Sequence, residues 1–330
     1  MENLNRLIDW AKRNRDSLKI RFLNATYIST WLPGFFDITV QASIGGRTIC
    51  GRSVRPLQEE ALLRAFMELF ERIVFYGESR TEISGFAAHT SEFNSFQSSS
   101  LEIIERDAVL FNHLNGKPFL SISLDLYDLL GPIAKALLAQ SASKGITWSF
   151  HAAESFYQDV FVVVCRAYTD NADESRQIFG FGSGFSLKDT VQKSLFECIQ
   201  NVPTLIQPIG QYTNLISFQQ SKSWTPKDHC FLGLDPSYML QISNLFPACN
   251  ISLPASENSR RMFSFKDFQC RPLVLPDSIK ELLDLVFVTQ STNPLLQKLF
   301  TGPTEISKIN KQRFQNKNLN EINYVPHFIG

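Results

Sequence analysis

The pattern E-x-x-E-R occurs twice in this chain, beginning at residues 68 and 102. The first copy spans Glu68 to Arg72, and the second spans Glu102 to Arg106. Because residues three apart lie on the same face of a helix, each copy places two carboxylates side by side, next to a guanidinium. Carboxylates bind hard divalent cations, and arginine pairs with phosphates. The pattern therefore predicts a nucleotide site built on two helices, without a glycine-rich loop.

The first copy lies in a segment with helical periodicity, from Pro56 to about Tyr76. Its apolar residues recur every three or four positions and predict one buried stripe, formed by Leu62, Phe66, Leu69 and Ile73. Arg64, Glu68 and Glu71 lie roughly opposite this stripe. Since charged residues are mostly exposed, the simplest interpretation of this copy is a solvent-facing side of the helix, and a cation site is the alternative.

The second copy lies in a segment that predicts a helix from about Ser91 to Leu114. The later half is apolar on nearly every side, which indicates a buried helix. Glu102 and Glu105 would then be buried acids, which require a metal, a partner or a raised pKa. A repeat of helix pairs is another interpretation, but the segment between the two copies is a Gly/Ser/Ala loop without a repeated helix-pair pattern.

The remaining chain alternates between strand-like and helical segments, which predicts an α/β fold. Strands are expected at 146–151 and 159–168, and a helix at about 187–200. Residues 179–184, with the sequence FGFGSG, predict a glycine-rich turn before that helix. They lack the GK[ST] of a phosphate loop and the full G-x-G-x-x-G pattern. Residues 205–270, rich in Ser, Asn and Pro, predict an irregular segment.

Composition narrows the classes of partner. The 32 basic and 32 acidic residues balance, so no global charge favours nucleic acid or an anionic membrane, and neither is predicted as a partner. The charged N-terminus has no apolar signal region, and no apolar run has the length of a membrane span, which predicts a cytoplasmic protein. None of the six Cys forms C-x-x-C, so a structural zinc site is not expected.

The order of these motifs resembles that of the YcaO family. Five segments carry the resemblance: Gly51-Arg52-Ser53 against the family's G-K-G, LLRAFMELFER against its first E-x-x-E-R helix, SGFAAHTSEFNSFQSSSLEIIERDAV against its second, FGFGSGFSLKDTVQKSLFECIQ against its glycine turn and E-x-x-Q helix, and LLQKLFTGPTE against its P-G-x-E. The match runs from about residue 45 to 305, and the IERDA ending of the second helix is its most specific part.

The resemblance implies an α/β, YcaO-like fold with mixed sheets and with acidic helices lining an ATP cleft. Residues 1–330 would form a single domain with an ordered core at about 16–305. The irregular segment at 205–270 would be an insert, and residues 306–330 a polar C-terminal tail.

The resemblance also implies an activity. Family members use ATP and Mg²⁺ to activate backbone amides of ribosomally made peptides, and the cyclodehydratases among them convert Cys, Ser or Thr to thiazoline or oxazoline. The chain shows no fused domain for binding a leader peptide, so the expected partners are a precursor peptide and a separate leader-peptide-binding protein. A flavin-dependent dehydrogenase would join them in an azole-forming pathway.

Site residues are carried over from the matching motifs. The family's metal-binding acids correspond to Glu68, Glu71, Glu102 and Glu105. The other residues expected to contact the nucleotide are Arg52, Arg64, Arg72, Arg106, Glu197 and Gln200. The resemblance assigns no residue of this chain a role in the bond-breaking chemistry itself.

The chain also departs from the family pattern. Arg64 stands where the family usually has Ser, Asn94 where it has an acid, and the proline-rich C-terminal motif is reduced to Pro326. These departures favour one alternative, a degenerate non-catalytic subunit that acts as a scaffold in a peptide-modifying complex. A thioamide-forming YcaO enzyme, with similar ATP chemistry and a sulfur donor, is the other alternative.

Overall fold

The computed structural model describes residues 2–25, 33–77, 85–122, 130–169, 176–206, 224, 226–247, 261–314, 318 and 321–329. Contacts within the chain divide it into two compact units. Unit 1 comprises Met1–Glu102 and Phe265–Asn293, and unit 2 comprises Ile103–Ser264 and Pro294–Gly330.

The described residues form helices, strands and short 3₁₀ turns. The helices are α1 Glu2–Arg13, α2 Gln58–Gly77, α3 Glu92–Leu114, α4 Pro132–Ala142, α5 Leu187–Ile206, α6 Pro226–Leu232 and α7 Pro236–Ile242. The strands are β1 Arg21–Asn24, β2 Phe36–Ile44, β3 Arg47–Arg55, β4 Phe86–His89, β5 Leu120–Ser121, β6 Ile146–Ala152, β7 Phe161–Thr169, β8 Arg176–Gly184, β9 Gln269–Leu273 and β10 Phe287–Thr292. The 3₁₀ turns are Ser243–Leu245, Phe265–Asp267, Asp277–Leu282 and Ile306–Lys308.

Unit 1 contains two antiparallel sheets, in the strand orders β1-β2-β3 and β4-β10-β9. Gly45 and Gly46 join β2 to β3, and both have positive φ, as a two-residue hairpin turn requires. Helix α2 follows β3 and buries Phe66, Leu69 and Ile73 in the core of this unit, which confirms most of the predicted apolar stripe. The side of α2 that carries Glu68 and Glu71 is half-buried, so the solvent-facing interpretation of the first E-x-x-E-R is wrong.

Unit 2 is built on a four-stranded antiparallel sheet in the order β5-β6-β7-β8. Residues 179–184, predicted to be a glycine-rich turn, instead form the end of strand β8, which is paired with β7 along its whole length. The glycines allow helix α5 to pack directly on this strand. A Cβ at Gly180 would lie 2.1 Å from the backbone nitrogen of Cys198, and one at Gly182 would lie 2.4 Å from the carbonyl oxygen of Thr190.

The C-terminal segment, predicted from its composition to be a polar tail, packs into unit 2. Ile309, Phe314, Ile322, Phe328 and Ile329 are buried. The Phe328 ring stacks on that of Phe179 in β8, with a centroid separation of 4.2 Å. Asp107, fully buried on α3, accepts hydrogen bonds from Arg313 Nε at 3.0 Å and from the Gln297 backbone N–H at 2.7 Å. Buried apolar residues between polar ones, together with this ion pair, fix the segment in place.

Two buried histidines also hold the C-terminal segment. The rings of His229 and His327 stack with a centroid separation of 4.0 Å and an interplanar angle of 4°. The Gly302 backbone N–H donates to His229 Nε2 at 2.9 Å, so His229 Nδ1 carries the proton and donates to the His327 carbonyl oxygen at 2.7 Å. His327 Nε2 lies 2.8 Å from the carbonyl oxygen of Phe300, and its Nδ1 accepts from the Ile329 N–H. Both rings are therefore neutral, with every nitrogen bonded.

We expect these histidines to make the fold sensitive to acid. Burial lowers the pKa of His229 to about 4 and the pKa of His327 well below its ordinary value. In the unfolded chain, a histidine has a pKa of about 6.5. Between these values the unfolded chain binds more protons, so stability is lost as the pH falls. Glu197, whose pKa is raised, instead adds stability as the pH falls. Because both proteins contain Glu197, comparing wild type with His229→Gln isolates the contribution of the histidine. Urea denaturation at a series of pH values should show that the free energy of unfolding falls more steeply with decreasing pH in wild type than in His229→Gln. Equal slopes in the two proteins would contradict the prediction.

Among the described residues, no helix combines the length and the apolar composition that crossing a membrane requires.

Candidate functional site

Three glutamates are fixed in the same way, each by a backbone N–H of a neighbouring strand. In each case the donor directly follows a glycine and precedes the glutamate by 16 residues. The distances are 2.7 Å from Arg52 N to Glu68 Oε2, 2.9 Å from Phe86 N to Glu102 Oε2 and 2.9 Å from Phe181 N to Glu197 Oε2. A carboxylate has about four lone-pair positions, so a glutamate held in this way can still accept a cation.

The glycine before each donor has a physical reason. A Cβ at Gly51 would lie 2.1 Å from the carbonyl oxygen of Ala65 and 2.3 Å from the nitrogen of Leu69, so only glycine lets β3 approach α2 this closely. Gly180 plays the same part between β8 and α5. Gly85 adopts a φ of 80°, which favours glycine. The spacing Gly-x₁₆-Glu occurs at all three sites and is visible in the sequence. It could have linked Glu197 to the two E-x-x-E-R copies, which the E-x-x-E-R pattern alone does not.

Unit 1 brings together three of the four predicted metal-binding acids. Glu68, Glu71 and Glu102 are each half-buried. Burial, followed by repulsion from Glu102 and Glu68, raises the pKa of Glu71 well above its ordinary value, although an Ala88 N–H bonds to it. Burial also raises the pKa of Glu68, against the opposing effect of Arg72. These carboxylates are therefore close enough to repel one another, and a cation would relieve that repulsion.

Unit 2 contains a pair of acids, Glu105 on α3 and Glu197 on α5. Burial and repulsion from Glu105 raise the pKa of Glu197 to about 7, while Arg106, Lys193 and the Phe181 N–H oppose the rise. Lys193 Nζ lies 3.2 Å from Glu105 Oε2 and 3.4 Å from Ser183 Oγ. Sequence reasoning missed Lys193, although it precedes Glu197 by four residues and so lies on the same face of the helix.

The predicted phosphate-binding arginines have structural contacts of their own. Arg52 pairs with the fully buried Asp37 through two bonds, Nε to Oδ1 at 2.8 Å and Nη2 to Oδ2 at 2.6 Å. Arg72 Nη2 lies 2.5 Å from Glu68 Oε1, and its Nη1 donates to the Cys50 carbonyl oxygen at 2.9 Å. Asp37 is therefore a further residue that sequence reasoning missed. It fixes the direction of the Arg52 side chain.

The other predicted nucleotide-contacting residues lie on the same helices. Arg64 is exposed on α2, one turn before Glu68. The Arg106 guanidinium lies over the ring of Phe181, 5.7 Å from its centroid. Gln200 is half-buried on α5, one turn after Glu197. The contact of these residues with a nucleotide stays a prediction.

The donor atoms at these positions are carboxylate oxygens, which suit Mg²⁺ better than the softer transition metals. Within the described ranges, no three His, Cys, Asp or Glu side chains are already arranged closely enough to hold a metal ion. Mg²⁺ is commonly held by one or two carboxylates together with substrate phosphates, so a bound nucleotide would supply the remaining ligands.

Comparison with known proteins decides the family. The family model of the YcaO cyclodehydratases, described as ATP- and Mg²⁺-binding, matches residues 73–248, more than half of the chain. The chain belongs to the YcaO family. The family description names the cofactors and the class of enzyme that the motif order implied, an ATP-dependent cyclodehydratase. None of the curated proteins gives a significant match.

Solved structures of YcaO proteins share the fold. The chain resembles the YcaO protein of Methanopyrus kandleri bound with AMPPCP and Mg²⁺, with a TM-score of 0.55 and 12% identity over 88% of this chain and 90% of that one. A heterocyclase in complex with substrate and cofactor has a TM-score of 0.66 and 10% identity, over 93% of this chain and 54% of that one. The McbBCD microcin synthetase complex of E. coli has a TM-score of 0.54 and 14% identity, over 79% of this chain and 85% of that one. The predicted α/β, YcaO-like fold is confirmed.

Proposed function

We propose that this YcaO protein is an ATP- and Mg²⁺-dependent enzyme that cyclodehydrates Cys, Ser or Thr residues of a ribosomally made peptide. One observation carries the proposal: three glutamates are fixed by strand N–H groups, and burial together with repulsion among clustered acids raises the pKa of Glu71 and Glu197. Such an arrangement costs stability unless a cation binds, and the family is described as binding Mg²⁺ with ATP.

We assign the metal-binding role to Glu68, Glu71, Glu102 and Glu105, with Glu197 and Gln200 contacting the nucleotide. Mg²⁺ would neutralise the phosphate oxygens, which is the main requirement of phosphoryl transfer. Arg106 and Arg72 follow the metal-binding acids on their helices and would supply further positive charge. Arg52 and Arg64 complete the proposed nucleotide-contacting set.

In the proposed reaction, bonds form and break in a defined order. The thiol or hydroxyl of the peptide loses its proton to solvent as its sulfur or oxygen adds to the carbon of the preceding amide. The amide oxygen then takes the γ-phosphoryl group of ATP, which leaves ADP. Loss of phosphate and of the amide proton forms the C=N bond of the ring. ATP is required because the amide oxygen is a poor leaving group, whereas phosphate is a good one.

The proposed partners follow from the same assignment. One similar structure is the McbBCD microcin synthetase complex, and another contains a heterocyclase with its substrate. By analogy, we propose that this chain modifies a precursor peptide with the help of a separate leader-peptide-binding protein. A flavin-dependent dehydrogenase would act afterwards if the final product is an azole.

A second candidate function is that of a non-catalytic subunit. The observation that favours it is the ion pair between Lys193 and Glu105, with a Nζ–Oε2 distance of 3.2 Å. An ammonium on this carboxylate neutralises one predicted Mg²⁺ ligand without any metal. In this role the chain would keep the YcaO fold and stabilise a modifying complex without hydrolysing ATP.

Calorimetric titration distinguishes the two candidates. If the chain is an enzyme, we expect ATP to bind the folded protein, and this binding to require Mg²⁺, because the carboxylates repel the phosphates when no metal lies between them. Mixing with a Cys-containing precursor peptide and its leader-binding protein should then release ADP and remove one water mass per ring. Absence of ATP binding by well-folded protein would favour the non-catalytic subunit.

A further inference from the structure

Unit 2 contains a cavity of about 350 Å³ that is separate from the acids described above. It lies at one end of the sheet, between the start of β7, the end of β6 and the edge strand β5. Its walls include Leu120, Ala152, Val160, Val162 and Leu187. This volume falls within the range of about 300–1,000 Å³ that is usual for ligand pockets, and such pockets are mostly apolar.

The charges at this cavity cancel. Among the described residues that line it, the charged side chains are Lys117 and Glu154, which form an ion pair with an Nζ–Oε2 distance of 3.1 Å. Lys117 Nζ also lies 5.3 Å from the centroid of the Phe111 ring. The pair leaves the wall electrically neutral. A charged ligand group would lose its hydration here without gaining an opposite charge, so the cavity favours an uncharged apolar group.

Large apolar side chains are exposed next to the cavity. Phe161, which lines it, is 38% exposed, and Phe185, two residues before the lining residue Leu187, is 42% exposed. Met262 is 57% exposed and lies against Gln158, another lining residue. A rim of exposed aromatic and thioether groups around an apolar cavity is typical of a binding surface rather than of an ordinary monomer surface.

The helices that carry the unit 2 acids also lead to this cavity. Asn112, which lines it, follows Glu105 by seven residues on α3, and Leu187 precedes Glu197 by ten residues on α5. At 1.5 Å per residue, these spacings correspond to roughly 10 Å and roughly 15 Å along the helices. An extended peptide spans such distances with about three to five residues, at about 3.3 Å per residue.

We propose that this cavity binds an uncharged apolar side chain of the substrate peptide, three to five residues from the residue that is modified. The proposal rests on the peptide-modifying function proposed above. The neutral wall selects against Asp, Glu, Lys and Arg, and Phe161, which both lines the cavity and is partly exposed, would contact the bound side chain. The substrate class is therefore a peptide with a large apolar residue near its modified Cys, Ser or Thr.

The test uses short peptides as probes of the folded protein without ATP. N-acetyl-Gly-Phe-Gly-amide is titrated while the methyl NMR signals of Ala152 and Ala153 are followed, with the Gly-Gly-Gly and Gly-Asp-Gly analogues as comparisons. We expect saturable shifts with the Phe peptide alone. Filling the cavity with Ala152→Leu, or removing part of the rim with Phe161→Ser, should weaken binding at least about tenfold, the scale of one buried apolar side chain.

Leu240→Ser is the matched control, because Leu240 is 78% exposed on α7 of the same unit and does not line the cavity. It should bind the Phe peptide as wild type does. Equal shifts with all three peptides, or equal loss in Leu240→Ser and Phe161→Ser, would overturn the proposal. Phe161 is partly exposed, so its variant stays testable if Ala152→Leu fails to fold.

Binding of ATP without any response to the Phe peptide would refute the cavity assignment alone, whereas peptide binding without ATP binding would refute the proposed enzyme.

Discussion

Glu102→Gln should weaken the binding of ATP with Mg²⁺ by at least about a hundredfold, roughly 2.7 kcal/mol. The substitution removes a negative charge from the three-acid cluster of unit 1 while keeping an oxygen that can accept from the Phe86 N–H, now 2.9 Å from Glu102 Oε2. The local fold is therefore preserved, and the loss falls on cation binding. Calorimetry with ATP at fixed Mg²⁺ measures the affinity, and circular dichroism checks the fold.

Glu92→Gln supplies the matched control for this change. Glu92 is exposed in the first turn of the same helix, so the same loss of charge occurs outside the acid cluster. We expect ATP to bind this variant as tightly as it binds wild type. Unchanged affinity in Glu102→Gln would mean that the metal site lies elsewhere, and similar losses in both variants would point to a general electrostatic effect.

Gly180→Ala should destabilise the protein by about 3 kcal/mol or more, since overpacking of a tightly packed interior costs about 1–3 kcal/mol even where side chains can adjust. Here the added Cβ would lie 2.1 Å from the nitrogen of Cys198 and 2.3 Å from the carbonyl oxygen of Ser194, both of which are backbone atoms that cannot rotate away. Helix α5 must shift from β8, which also breaks the bond from the Phe181 N–H to Glu197. Urea denaturation measures the loss.

Gly131→Ala tests whether the loss of stability in Gly180→Ala comes from close packing or from the replacement of any glycine by alanine. Gly131 lies in the same unit with a φ of −46°, and an added Cβ there meets no atom within 4 Å. We expect its stability to remain within about 1 kcal/mol of wild type. If Gly180→Ala is no less stable than Gly131→Ala, then α5 does not pack against β8 as closely as described. A Gly180→Ala protein that cannot be refolded, beside a well-behaved Gly131→Ala, would agree with the prediction.

Helices α2 and α3 could be predicted from the sequence to within two residues at each end. The apolar residues of α2 recur at helical spacing, and a helical period survives whatever the helix packs against, whereas α3 is indicated by a long segment that is apolar on nearly every side. The half-buried state of Glu68 and Glu71 could not be predicted in this way, because periodicity identifies the most apolar face and not what covers the opposite one. Packing of β3 against α2 at Gly51 brings the Arg52 N–H to Glu68, and the Ala88 N–H of β4 bonds to Glu71.

Strand β8 shows a different limit of prediction. Glycine disfavours strands when considered alone, so FGFGSG indicated a turn. In the folded chain, glycine is what allows α5 to lie on the strand, and this tertiary contact outweighs the local preference. The packing of the C-terminal segment could not be predicted for a similar reason, since its polar average composition conceals the buried Ile309, Phe314 and Phe328 that anchor it. Among the site residues, Asp37 is evident only once β2 and β3 are in register, and the spacing of Lys193 from Glu197 does not by itself indicate its ion pair with Glu105.

The backbone bonds to Glu68, Glu102 and Glu197 have a consequence for how the sequence can vary. The donor in each case is a main-chain N–H, and the residues that provide it are a charged one, Arg52, and two apolar ones, Phe86 and Phe181. Placement of the acid therefore depends on the preceding glycine, through the absent Cβ at Gly51 and Gly180 and the positive φ of Gly85, and on strand geometry, not on the chemistry of the donor's side chain. Positions 52, 86 and 181 can thus be given new contacts, such as the Arg52 ion pair with Asp37, while the three carboxylates keep their places.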